Sequence, residues 1–122
     1  MHIKGSVKHP VGERGYLCGP SLTPEQPLYW NKAEVAYMYL DSKSTDPLHY
    51  HKRADEFLIL IKGSLRQEVD GEEIELAPGD FLFIRAGTKT ELRYAQDGTE
   101  LIVLKAPPDP HDKVDLSRNR IK

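Results

Sequence analysis

Two histidines one residue apart, His49 and His51, and a glutamate five positions on, Glu56, stand in the stretch Asp46-Pro-Leu-His-Tyr-His-Lys-Arg-Ala-Asp-Glu56. Side chains two apart on a strand share a face, so both imidazoles project together. A short turn then lets a carboxylate from the following strand swing in beside them. Two neutral ring nitrogens and one oxygen converging on a point make a ligand set for a first-row transition ion. Three protein ligands leave coordination positions open for substrate or oxygen. Mixed nitrogen and oxygen donors suit iron, manganese, nickel, zinc and copper alike, so ligand type does not choose the ion. Imidazole also titrates near neutrality, so the same pair is able to take and return a proton with no metal at all.

Strands and turns must position these groups, and the pattern supplies both. The first thirty or so residues are rich in Gly and Pro and read as an arm of short extended pieces and turns, 1–32. From 33 the pattern changes to short apolar runs: Val35 to Leu40, Leu48 to His51, Glu56 to Ile61, Ser64 to Val69, Glu73 to Leu76, Phe81 to Ile84, Thr90 to Tyr94 and Leu101 to Leu104. Asp70-Gly71 between alternating runs is a two-residue hairpin signal, because both residues tolerate positive φ. Pro78-Gly-Asp80, Ala86-Gly87 and Asp97-Gly98 mark further turns. Regularly spaced short strands with turn chemistry between them, and no helical stripe, predict an all-β sandwich or barrel over 33–106. The tail, 107–122, is polar and turn-like, with room for one helical turn or a strand added to an edge.

Composition bounds the partners. A chain of 122 residues, 39% hydrophobic and 30% charged, is one ordinary globular domain. A net charge of −2 sets up no basic field for a phosphate backbone, which argues against nucleic acid. No apolar run approaches bilayer length and no charged-then-apolar leader opens the chain, so no membrane association and a cytoplasmic location are expected. The one cysteine, Cys18, cannot form an internal disulfide and fits a reducing compartment. If Glu56 faces inward, Leu58 and Leu60 follow it while Phe57, Ile59 and Ile61 face out. Leaving such a row in water costs about 1.5–3 kcal/mol per large side chain. Either the arm or a second copy must cover it, and a homodimer is expected.

The motif residues resemble the cupin superfamily. Its usual first motif is Gly, five residues, His-x-His, three or four residues, Glu, six residues, Gly. Here His49, His51, Glu56 and Gly63 match, with Lys43 in place of the leading Gly. Its second is Gly, five residues, Pro-x-Gly, two residues, His, three residues, Asn. Gly79, Arg85, Ala86, Gly87, Thr90 and Tyr94 keep that spacing, but Arg85, Thr90 and Tyr94 replace Pro, His and Asn. The resemblance covers about half the chain, Leu48 to Tyr94, and implies a double-stranded β-helix, the cupin jelly-roll barrel.

It also implies roles. In metal-dependent members the second-motif His is a fourth ligand, and the hydroxyl of Thr90 is a poor substitute. The site is then weakened rather than abolished, since two histidines and one carboxylate suffice where geometry is held. His9 or His111 could enter from the terminal segments. Strand parity turns Thr90, Leu92 and Tyr94 inward and Glu91 and Arg93 outward, which makes Thr90 and Tyr94 candidate substrate contacts. Arg85, at the rim, is the best of Arg66, Arg85 and Lys89 as a carboxylate or phosphate contact, with solvated surface charge the plainer account of each.

Three functions follow. The first is a metal-dependent enzyme on a small oxygenated molecule, dioxygenase- or isomerase-like, with His49, His51 and Glu56 holding a divalent ion. The second is a metal-free isomerase in which His49 and His51 act as acid and base on a sugar. The third is a non-catalytic domain that binds or senses a small ligand.

Overall fold

The computed structural model describes residues 1–8 and 15–116. Ten strands occur among them: β1 (Tyr16–Cys18), β2 (Glu34–Leu40), β3 (His49–His51), β4 (Asp55–Lys62), β5 (Leu65–Val69), β6 (Glu72–Leu76), β7 (Phe81–Ile84), β8 (Thr90–Ala95), β9 (Thr99–Ala106) and β10 (Lys113–Asp115). All eight expected runs are strands. The arm adds β1 and the tail adds β10, a strand on the edge of β3. No α-helix occurs among the described residues, and no helix is long and apolar enough to cross a membrane.

The strands form two five-stranded antiparallel sheets, in the orders β1-β2-β9-β4-β7 and β10-β3-β8-β5-β6. This is a jelly-roll barrel. Alternation decides what lies between the sheets: Leu58 and Leu60 of β4, Leu65 of β5, and Leu101 and Val103 of β9 meet in one buried core. Both residues of the Asp70-Gly71 turn have positive φ, 48° and 83°, as a two-residue hairpin that follows strand twist requires.

β4 is apolar on both faces, and its outer neighbours continue the patch. Phe57 stacks on Phe81 with ring centroids 5.1 Å apart, and Phe81 and Phe83 remain 62% and 50% exposed.

One expectation about side-chain direction is corrected. Arg66 pairs with Tyr94, but the next residue, Gln67, pairs with Leu92, so Arg93 is an extra residue on β8. A bulge of this kind reverses the alternation beyond it. Ala95 therefore turns inward and is buried, while Tyr94 turns outward under the guanidinium of Arg66, 5.0 Å from the ring centroid.

Candidate metal centre

Strand β3 presents His49 and His51 to the barrel interior, and both are buried. Its neighbours hold it from both sides, His49 opposite Thr90 on β8 and His51 opposite Lys113 on β10. Glu56 follows as the second residue of β4, with its side chain only 12% exposed. Between them the chain must reverse within three residues, and Asp112 organises that turn. Its buried carboxylate accepts from Arg53 N at 2.8 Å and Ala54 N at 2.9 Å, while Lys52 N donates to its main-chain oxygen at 3.1 Å. On the other side Gly87 N donates to the His51 carbonyl at 2.7 Å.

The rings are oriented for ligation. His49 Nδ1 lies 2.7 Å from Pro47 O, a carbonyl that only accepts. Nδ1 therefore carries the proton and Nε2 keeps its lone pair for the interior. His51 Nε2 faces Glu56 Oε2 at 3.8 Å, and its Nδ1 lies 3.7 Å from Asp112 Oδ2. One ligand atom from each of His49, His51 and Glu56 falls within 4.8 Å of the other two. Bonds of about 2.1 Å to one ion bring ligand atoms to about 3–3.5 Å from each other, so a modest closure of the side chains accommodates an ion. The donor set fits a divalent transition ion.

Burial sets the protonation states. Desolvation, helped by Lys105, His49 and Lys113 and opposed by Asp112, pushes His51 down to about 4. The ring is neutral at pH 7, as a metal ligand must be. Glu56 is pushed above its ordinary range by desolvation, against the pull of Lys105 and His49.

A pH dependence of the metal-free protein follows. Between about 6.5 and 4 the unfolded chain binds a proton at residue 51 and the folded chain does not, so stability should fall as pH falls through that window, by about 3 kcal/mol. Glu56 works in the opposite sense. Its folded pKa lies above its unfolded one, so protonation adds stability as pH drops through the raised value toward 4.5. In urea titrations, Glu56→Gln should therefore be stabilised at pH 7 and lose stability more steeply than wild type below pH 6.5. His51→Gln should lack its part of the slope. Equal slopes in His51→Gln and wild type would show that residue 51 does not exchange the proton.

A cavity of about 680 Å³ opens in front of the triad, lined by His49, His51, Glu56 and Gln67 at its polar end and by Met38, Leu58, Leu92, Leu101 and Val103 beyond. A smaller one of about 230 Å³ shares His51, Glu34, Lys105 and Lys113 with it and extends to Pro108, Asp109 and Pro110.

None of the three expected substrate contacts lines either cavity. Thr90 is buried with its hydroxyl fully engaged, accepting from Gln67 Nε2 at 2.7 Å and donating to Glu68 O at 2.8 Å. The Thr90–Gln67 pair thus stands where the resemblance places a fourth ligand, and Gln67 is the member that reaches the cavity. Arg85 points out, its side chain 75% exposed beside Asp55 and Phe83. Tyr94 is on the outer face for the reason given above. His111 is exposed and lines neither cavity, and His9 falls outside the described residues.

Sequence reasoning missed Gln67, Lys105, Asp112 and Lys113. Lys105 had a signal, since it continues the inward series Leu101, Val103 at two-residue spacing. Asp112 and Lys113 had none, because only the pairing of β10 with β3 brings them in.

A family profile described as "Cupin domain" matches residues 36–105. Quercetin 2,3-dioxygenase of Bacillus subtilis (strain 168) is 34% identical over 59 residues, 48% of this chain and 18% of that protein. Tetracenomycin polyketide synthase protein TcmJ of Streptomyces glaucescens is 33% identical over 60 residues, 49% of this chain and 40% of that protein. The match therefore spans under half the length of either relative. Among solved structures, a cupin protein from Bacteroides fragilis superposes with a TM-score of 0.61 at 21% identity, covering 94% of this chain and 95% of that one. That likeness is one of fold.

Proposed function

This chain belongs to the cupin family, and from that premise we propose that it binds a divalent transition ion through His49, His51 and Glu56. With the ion in place it acts on a small oxygenated molecule held in the barrel, as a dioxygenase or an isomerase. The observation that carries this reading is the convergence of three ligand atoms within 4.8 Å at the polar end of an internal cavity. The similarity to a protein named quercetin 2,3-dioxygenase supports the dioxygenase arm. When bound, the ion supplies Lewis acidity toward chelating oxygens of the substrate, such as those of an enediol, a catechol or an oxo acid. The chain's own residues do the rest. Pro47 O fixes the tautomer of His49, Asp112 holds the turn that brings His51 and Glu56 together, and the apolar walls restrict water.

The metal-free acid–base reading is less well supported. With its pKa near 4, His51 is a weak base at neutral pH, whereas proton transfer favours a group matched to working pH. Elemental analysis of the protein as purified, and after reconstitution with iron, manganese, nickel, zinc or copper, tests the proposal. A stoichiometric ion is expected. Protein that stays metal-free through reconstitution would leave a barrel that only binds a small ligand or uses its histidines unaided.

The outer face of the first sheet we assign to a second copy of the chain. Phe81, Phe83 and Leu104 are exposed side by side with Phe57 and Ile59, and no described segment of the arm covers them. Light scattering should give twice the 13.9 kDa of one chain, and Phe81→Glu should shift the protein toward monomer. A monomeric wild type at micromolar concentration would remove the assignment. Half-buried Cys18, its thiol pushed up by burial, suits a reducing compartment, and the cytoplasm is the proposed location.

A further inference from the structure

The inner face carries a second polar feature beside the triad. Lys105 of β9 sits directly between Glu34 of β2 and Glu56 of β4 in the strand register, so the three form one row across the sheet. Side chains paired in this way start about 5 Å apart. The next rows inward, Ala36–Val103–Leu58 and Met38–Leu101–Leu60, are apolar. The barrel interior is therefore graded, charged at one end and greasy beyond.

The charges in that end are unevenly committed. Glu34 is buried and accepts from the hydroxyl and the main-chain N–H of Ser21. Asp46 is paired with Lys113 Nζ at 2.8 Å. Glu56 faces His51. Lys105 lines both cavities, forms no close ion pair among the described residues, and acts through space on Glu56 and His51. Metal-free, the lining carries two lysines against three carboxylates. A divalent ion on the triad turns that balance from one negative to one positive charge, with Glu34 the carboxylate that remains beside Lys105.

We propose that Lys105 is the anion contact of the barrel and that the ligand is a small carboxylate with a second oxygen donor next to it and an apolar body. Such an acid, of the 2-oxo or 2-hydroxy type, chelates through its adjacent oxygens and places its negative charge within reach of the ammonium. Its body then lies against Leu58, Met38, Leu101 and Val103. A neutral catechol or sugar leaves the excess positive charge of the ion-loaded lining uncompensated in a partly desolvated site, which is a penalty against it. This deepens the metal reading above and rests on it for the chelating half of the interaction.

The test is calorimetric binding of phenylpyruvate, 2-oxoisocaproate and mandelate, each against its methyl ester, to zinc-loaded and metal-free protein. Wild type should prefer the acids by about tenfold or more, the size of a charge-assisted contact. Lys105→Met should lose that preference, and Lys105→Arg, which keeps the charge, should retain most of it. Melting curves confirm that both variants are folded. Equal binding of acid and ester by wild type, absence of acid binding altogether, or a preference that survives in Lys105→Met overturns the assignment. Zinc content measured on the same samples reads the metal separately. A Lys105-dependent preference in protein that takes up no ion supports the anion contact while ending the metal reading. Loaded protein without the preference does the reverse.

Discussion

His51→Ala is expected to empty the metal site. The substitution leaves one imidazole and one carboxylate, and two donors from a barrel wall hold a divalent ion poorly against water and chelators. Loss of a group that merely orients a ligand costs about 10–100-fold in affinity, so loss of a ligand itself should cost at least about 100-fold. Glu56→Gln should behave similarly for a second reason. It keeps the shape but removes the charge that offsets the ion in a desolvated site. Loaded wild type, His51→Ala and Glu56→Gln are to be dialysed against a weak chelator and their metal content measured together, with His111→Ala as the control. His111 is exposed and lines neither cavity, so its loss should change nothing. Circular dichroism excludes unfolding as the cause, which matters because His51 is buried. Retention of wild-type metal by His51→Ala would remove the triad as the binding site.

A large stability effect from a small change is expected at Gly63. It closes the turn from β4 to β5 with φ at 90°, a region that side chains with a Cβ rarely adopt. Strain alone costs about 1 kcal/mol. Space makes it worse. A Cβ at this position would lie 2.3 Å from Thr99 Oγ1 and 2.8 Å from Thr99 Cα, and the second of these is backbone that cannot swing aside. Thr99 is fully buried, and its hydroxyl joins the two turns by donating to Gln96 O at 2.7 Å and accepting from Ser64 N at 3.3 Å. Overpacking of this kind adds about 1–3 kcal/mol. Gly63→Ala should therefore lose about 3 kcal/mol, or about 10 °C in Tm. Gly79 is the control, because its φ is 93° but nothing lies within 4 Å of an added Cβ. Gly79→Ala should lose only the strain, about 1 kcal/mol. Equal losses at the two positions would mean that the contact with Thr99 is not the cause.

Much of this protein is legible along the chain because the forces that set it are local. Alternation over Val35 to Leu40 or Leu101 to Leu104 marks a strand without reference to its partner. Asp70-Gly71 marks a hairpin because its φ values are a property of those two residues. The spacing of His49 and His51 puts both rings on one face, and a short turn keeps Glu56 near. The structure brings the three together within 4.8 Å.

What the chain does not disclose is whatever depends on strands far apart in sequence. The extra residue at Arg93 exists only relative to β5, since a bulge is a mismatch between two strands, and it alone decides that Tyr94 faces outward. Asp112 and Lys113 reach the site because β10 docks on β3 across some sixty residues of chain, a pairing that no local pattern specifies. Lys105 lies between these cases. Its inward direction follows from alternation, yet its position between Glu34 and Glu56 needs the register of β9 against two other strands. Local periodicity thus determined the elements and the three donors. Only long-range register decided which other charges surround them, because a one-residue shift between strands exchanges every inward side chain for an outward one.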